Sequence, residues 1–141
     1  MIERTLCIIK PDAVEMNVSG NIIAMIQNAG FKVLALKMTR LTPAQAGAFY
    51  EIHKEKPFFN DLVNYMISGA IIPVALEKDN AIEDYRKLIG STNPANADEG
   101  TVRKLYGSSI ERNAVHGSDS AVNGLNEVAF FFSRAEIEAN L

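Results

Sequence analysis

The stretch SSIERNAVHGSDSAVNGLNEVAFFFS, residues 108–133, decides the fold, because its second half reads either as a strand or as a helix. NEVAFFFS is apolar enough for a strand. Against that, Ala121, Leu125, Val128 and Phe132 recur at spacings of four, three and four, which is helical periodicity, and Ser120 stands where a capping hydroxyl accepts a free backbone amide. Asn123-Gly124 opposes the helix, since glycine inside one costs about 1 kcal/mol relative to alanine. We prefer the helix. A fourth strand then lies just before His116, where the patterning is weak, with NEVAFFFS as its alternative position.

Upstream, TLCII at 5–9 is a short apolar run of strand formers, stopped by Lys10-Pro11-Asp12 because proline donates nothing to a ladder and restrains the residue before it. Lys10 is thereby set at a strand end. Ser19 caps an expected helix in GNIIAMIQNAG, with Ile22, Ile23, Met25 and Ile26 as its apolar stripe and Gly30 as its stop. FKVLALKMTRL reads as a second strand with one partly wet face. Thr42-Pro43 opens a helix through AQAGAFYEIHK, broken at Pro57, and FFNDLVNYMISG carries Phe58, Leu62, Tyr65 and Met66 at helical spacing with Gly69 as its stop. AIIPVALE reads as a third strand whose proline favours a sheet edge or an irregular pairing. NAIEDYRKLIG reads as a further helix, and 91–109 as a loop with a helical turn around 101–105; an unpatterned stretch this long is more often functional than idle. Strands alternating with helices indicate a layered α/β or α+β architecture, and with neither repeat nor linker in sight, 1–141 is expected to form a single domain.

Fourteen Lys and Arg against seventeen Asp and Glu give a net charge of −3, so nucleic acid binding is not expected as the main function and anionic membranes should not attract the chain, although a local basic pocket is allowed. Cys7, the only cysteine, reads as a small buried hydrophobe in a reducing compartment. No stretch approaches the ~20 apolar residues that span a bilayer, and the amino terminus lacks the pattern of a secretory leader. A cytoplasmic protein with no membrane partner is the expectation.

His116 and Glu127, eleven positions apart, are the first candidates for chemistry. A histidine beside Gly117 and Ser118 is ordinarily an idle turn residue, but a carboxylate on a helix that folds back would fix the imidazole tautomer and leave its other nitrogen free to attack. Lys10, Arg86 and Arg103, taken singly, are ordinary solvated cations; brought together, they would neutralise polyphosphate oxygens. G-x-x-x-x-G-K-[ST], G-x-G-x-x-G and H-E-x-x-H are all absent, and two histidines without a cysteine pair do not suit a zinc site. His53 is most simply a surface or hinge histidine. Of Phe58-Phe59, core is the ordinary reading, with one ring at a pocket mouth as the alternative.

NAVHGSDS at 113–120 resembles the active-site signature of the nucleoside diphosphate kinase family, and ERTLCIIKPDAV, KPFFNDLVNYMISG and GSTNPANADEGTVR are similar to other parts of that family in the same order. The similarity runs over essentially the whole chain. It implies an α+β, ferredoxin-like βαββαβ sandwich with a four-stranded antiparallel sheet covered by helices, the fourth strand at 109–115 and a helix from Ser120 toward Phe130, which removes the strand at NEVAFFFS. It implies reversible ping-pong transfer of a γ-phosphoryl group from a nucleoside triphosphate to a nucleoside diphosphate through a phosphohistidine. His116 is then the nucleophile, Glu127 acts through its ring, and Ser118 holds that carboxylate. Lys10, Tyr50, Arg86, Thr92 and Arg103 match phosphate-contacting positions, and Asn113, with the lysine, meets the sugar hydroxyl. Phe58 stacks on the base between Leu62 and Ile110. The implied cofactor is Mg²⁺, carried on the nucleotide phosphates rather than in a protein cage, and the implied partner is the chain itself, as a tetramer or hexamer built from dimers with contacts at the sheet edge and the helix near Ile22. A catalytically silent nucleotide-binding module is disfavoured because every catalytic position is intact. Three departures from the family pattern, Ala70 after Gly69, Lys78, and Asn123-Gly124, bear on local stability.

Overall fold

The computed structural model describes residues 1–141, and its centre is the amino-terminal strand. β1 (Ile2–Ile9) pairs antiparallel with β3 (Ile72–Asp79) on one side and with β4 (Val115–His116) on the other, and β2 (Lys32–Leu36) closes the sheet in the order β2-β3-β1-β4. Both faces of β1 are buried, which is why its sequence reads as an unbroken apolar run instead of alternating. Cys7 and Ile9 face one core with Ile22 and Ile26 of α2 (Ser19–Asn28) and Tyr85 and Ile89 of α5 (Ala81–Ile89). Leu6 and Ile8 face the other, with Ala46 of α3 (Pro43–Phe49), Met66 of α4 (Phe59–Met66) and Val128 and Phe131 of α7 (Ala121–Phe131). Running β1-α2-β2-β3-α5-β4, the chain makes the ferredoxin-like βαββαβ arrangement, an antiparallel sheet covered by helices.

Three short helices complete the chain: α1 (Pro11–Glu15), α6 (Val102–Tyr106) and α8 (Arg134–Glu138). Proline at the first turn of α1 needs no amide partner, so Lys10-Pro11 ends the strand and starts a helix in the same step. Thr42 caps α3 reciprocally with Gln45, Ser120 caps α7 by accepting from the Asn123 amide, and Ser133 and Glu136 form the same kind of box at α8.

The structure corrects several sequence expectations. β4 is confined to Val115–His116 and does not extend over 109–115, because Ala114 stands at φ +73°, outside strand geometry. β3 is an interior strand, not an edge: Pro73 lies near its start, where the missing amide costs little, and its carbonyl accepts from Lys37 N at 3.2 Å. The irregularity falls on β2, as a register shift between Val33 and Ala35. In α2, Ile22 itself is fully buried within the chain, and the exposed face of that helix is formed by Gly20, Asn21, Ala24 and Gln27. Gly124 has a packing reason: a Cβ there would sit 2.1 Å from the Arg4 carbonyl oxygen, so α7 crosses β1 where only glycine fits. Lys78 pairs with Asp84 and lies 5.6 Å over the Phe31 ring.

Candidate active site

At the end of β4, opposite Ile8 of the central strand, the chain presents His116. Ser118 is buried beneath it and works in both directions: its Oγ accepts from Leu6 N at 3.0 Å and donates to Glu127 Oε1 at 2.8 Å. The same oxygen of Glu127 lies 2.7 Å from His116 Nε2. A carboxylate only accepts, so Nε2 carries the hydrogen and the lone pair sits on Nδ1. The ring plane is held by the edge of Phe49, with centroids 5.6 Å apart, and the backbone by Tyr85 Oη, which donates to the His116 carbonyl at 3.0 Å. A nucleophilic nitrogen aimed from a rigid strand end, with a proton-bearing partner nitrogen tied to a carboxylate, is an arrangement for covalent group transfer.

His116 and Glu127 share a cavity of about 630 Å³ with Lys10, Tyr50, Arg86, Thr92, Arg103 and Asn113, and with Phe58, Leu62 and Ile110. That volume is in the range of small-molecule sites. Every candidate singled out in the sequence lies in its wall except Ser118, which acts from below. Lys10 is buried, and its Nζ donates to Asn113 Oδ1 at 2.9 Å; burial, reinforced by Arg103, pulls its pKa down to about 8, while Asp12 opposes that shift. Arg103 is held by three carbonyls, those of Asn113, Gly90 and Val115 at 3.3, 3.1 and 2.8 Å. It therefore builds the site as well as charging it, a role its sequence position gave no sign of. Burial also lowers the Arg103 pKa from its ordinary value. Arg86 and Thr92 are exposed at the rim, and the Thr92 carbonyl accepts from Asn113 Nδ2 at 3.0 Å. A second cleft of about 490 Å³ is also lined by Arg86, Thr92 and Arg103, but not by His116.

The Tyr50 hydroxyl is buried without a hydrogen-bond partner, and burial pushes its pKa up, so it remains a neutral donor. A buried polar group left unpaired is costly, and a ligand oxygen in the cavity would satisfy it. At the mouth, Phe58 is 49% exposed and Ile110 54%, whereas Phe59 packs into the core. Sequence reasoning did not place in the cavity wall His53, read as a surface or hinge histidine, whose ring lies 5.6 Å from that of Phe58, nor Asp119 and Asn123. Tyr65 showed in the helical spacing of α4, but as a core position.

A folded-back carboxylate orienting a histidine, with buried and rim cations around one small cavity and a flat apolar mouth, defines a class of protein that handles a phosphorylated metabolite through a histidine. The profile of the family described as nucleoside diphosphate kinase matches residues 3–137. The nucleoside diphosphate kinase of Chloroherpeton thalassium is 56% identical over 140 residues, covering 99% of this chain and 99% of that protein. That of Nitratidesulfovibrio vulgaris is 55% identical over 137 residues, covering 97% and 99%. Among solved structures, the Aquifex aeolicus nucleoside diphosphate kinase superimposes with a TM-score of 0.96 at 41% identity, covering 97% of this chain and 99% of that one. The Encephalitozoon cuniculi enzyme gives 0.89 at 34%, covering 92% and 88%. The chain belongs to the nucleoside diphosphate kinase family.

Proposed function

We propose that residues 1–141, acting as one domain, move the γ-phosphoryl group of a nucleoside triphosphate onto a nucleoside diphosphate, reversibly and through phosphorylated His116. The single observation that carries the assignment of the nucleophile is the Leu6–Ser118–Glu127–His116 chain of hydrogen bonds, which leaves Nδ1 as the free nitrogen. In the first half-reaction the Nδ1 lone pair forms a bond to the γ-phosphorus while the bond from that phosphorus to the bridging oxygen breaks, its electrons leaving on the diphosphate. The ring becomes cationic, and Glu127 stabilises it through Nε2–H. In the second half-reaction a terminal oxygen of a different diphosphate bonds to the phosphorus while the bond from phosphorus to Nδ1 breaks, its electrons returning to Nδ1 and restoring the neutral imidazole.

Charge spreads over the equatorial oxygens of the migrating group, so fixed cations supply most of the catalysis. Lys10, Arg86 and Arg103 serve that purpose, Tyr50 and Thr92 donate to phosphate oxygens, and Lys10 with Asn113 meets the sugar. Phe58, flanked by Leu62 and Ile110, stacks on the base without reading its edge, which suits several bases. Mg²⁺ is assigned to the nucleotide, whose phosphate oxygens would supply its ligands, with Lys10, Arg86 and Arg103 of the cavity wall turned to the same phosphates. When bound, the ion neutralises phosphate oxygens and orients the chain of phosphates. Location in the cytoplasm and assembly as a homo-oligomer, tetramer or hexamer, complete the reading. No helix is long and apolar enough to cross a membrane. The exposed edge of the sheet at β2, with Leu36 and Met38 in solvent, is the surface a second copy would cover.

Incubation with γ-labelled ATP and Mg²⁺ tests this. Label is expected on the protein, stable to alkali, labile to acid and transferable to GDP, and absent in His116→Ala. Undiminished transfer by that variant would assign the nucleophile elsewhere.

A further inference from the structure

Immediately before the nucleophile, the backbone is held in a conformation it does not favour. Ala114, at φ +73°, is the centre of a three-residue turn closed by Val115 N donating to Asn113 O at 2.8 Å. Only glycine enters that region freely; a side chain with a Cβ does so at a cost. The turn has a use. It aims Asn113, whose Oδ1 accepts from Lys10 Nζ and whose carbonyl accepts from Arg103 Nε, and it delivers the chain into β4 and His116.

Both polar groups of Ala114 are tied down. Its carbonyl accepts from Lys10 N at 2.9 Å, and its amide donates to Asp12 Oδ2 at 3.0 Å. The other oxygen of Asp12 accepts from the Tyr65 hydroxyl, which in return accepts from Asp12 N at 2.9 Å. Arg112 lies 5.4 Å over the Tyr65 ring. Asp12 is absent from the cavity wall, so it reaches the nucleotide only indirectly, through the groups it holds and through its charge near Lys10; the second route is untouched by Ala114→Gly, which separates the two.

We propose that Asp12, fixed by Tyr65, is a positioning residue for phosphoryl transfer: it clamps the left-handed turn at Ala114 and so sets Asn113, Lys10 and His116 in register. Two donors converge on the carboxylate; an amide can accept from Ala114 N only by turning its NH₂ to Tyr65 Oη, which takes away the acceptor of that hydroxyl's hydrogen and loosens the clamp. This rests on the transfer reaction described above.

The test measures kcat and KM on the full chain with a nucleoside triphosphate and diphosphate, well below the thermal midpoint of each variant. Asp12→Asn is expected to lower kcat about tenfold, the size of effect that goes with one unsupported left-handed residue, and to change KM less. Adding Ala114→Gly to that variant should restore most of kcat, because glycine holds the turn without a clamp. A role confined to stability would lower the thermal midpoint and leave kcat alone. An Asp12→Asn variant with full kcat, or no recovery on adding Ala114→Gly, overturns the proposal. Should Asp12→Asn not fold, Tyr65→Phe, with and without Ala114→Gly, gives the same reading: a fall in kcat restored by glycine supports the clamp, and full kcat or unrestored loss refutes it. Failure of the unsubstituted protein to become labelled would instead defeat the parent reading.

Discussion

Lys10 holds its charge where burial works against it, and the consequence is a pH dependence with a definite sign. With its pKa pulled down from 10.5 to about 8, the ammonium that the phosphates need is present below about 8 and lost above it. The kcat/KM profile, which reports the free enzyme, is therefore expected to fall on an alkaline limb near 8, with the limb in kcat displaced upward because bound phosphates oppose loss of the proton. Lys10→Met should abolish that limb and leave a low residual rate; an unchanged limb would assign it to another group. Stability runs the other way. Between about 8 and 10.5 the unfolded chain binds more protons than the folded one, so this group's contribution to stability rises with pH across that window, and its burial penalty is full below it. Unfolding and inactivation are thus separable. Legibility at this scale followed sequence distance. His116, Ser118 and Glu127 sit within one short stretch, whereas Asp12 reaches Ala114 across 102 positions and Tyr65 across 53, and no local pattern reports such a meeting.

The helix bearing Glu127 depends on its approach to the central strand. At Gly124 the local rule and the packing disagree: alanine has the better helix propensity by about 1 kcal/mol, but its Cβ would meet a backbone oxygen of β1 that cannot swing aside. Packing wins. Gly124→Ala is expected to destabilise the fold by about 2 kcal/mol net, in the range of overpacking costs, seen as a lower midpoint in denaturant, and to weaken transfer because Glu127 follows one turn later. A variant at least as stable as the parent would mean that α7 can shift off β1. The same element shows what could be read in advance. Ser120 and the apolar spacing identified α7, since capping and periodicity are local. β4 could not be read: two residues carry no period, and the turn that cuts it short comes from Ala114, which no residue preference marks. The proline of β3 misled in part, because its cost depends on where along the ladder it falls and not on the strand being interior.

Across the whole molecule, a chain of net charge −3 brings Lys10, Arg86 and Arg103 to one small cavity, whose wall also carries Asp61, Glu111, Asp119 and Glu127; three cations confined to one cavity suit a mononucleotide better than a polymer. The sheet edge proposed for assembly lies elsewhere, at β2. Leu36→Lys, placing a charge on that edge, is expected to reduce the oligomer to smaller species in sedimentation while leaving transfer per chain intact, since no residue of β2 lines the cavity. Unaltered assembly would point to a different contact surface. The position of β1 has one more consequence. β1 is an inner strand of the sheet, yet its partners β4 and Ser118 lie more than a hundred residues further along the sequence, and Glu127 further still. A site joined from such distant segments cannot form piecemeal: until the ribosome has released both, a phosphoryl group has nowhere to lodge, and competence arrives in one step.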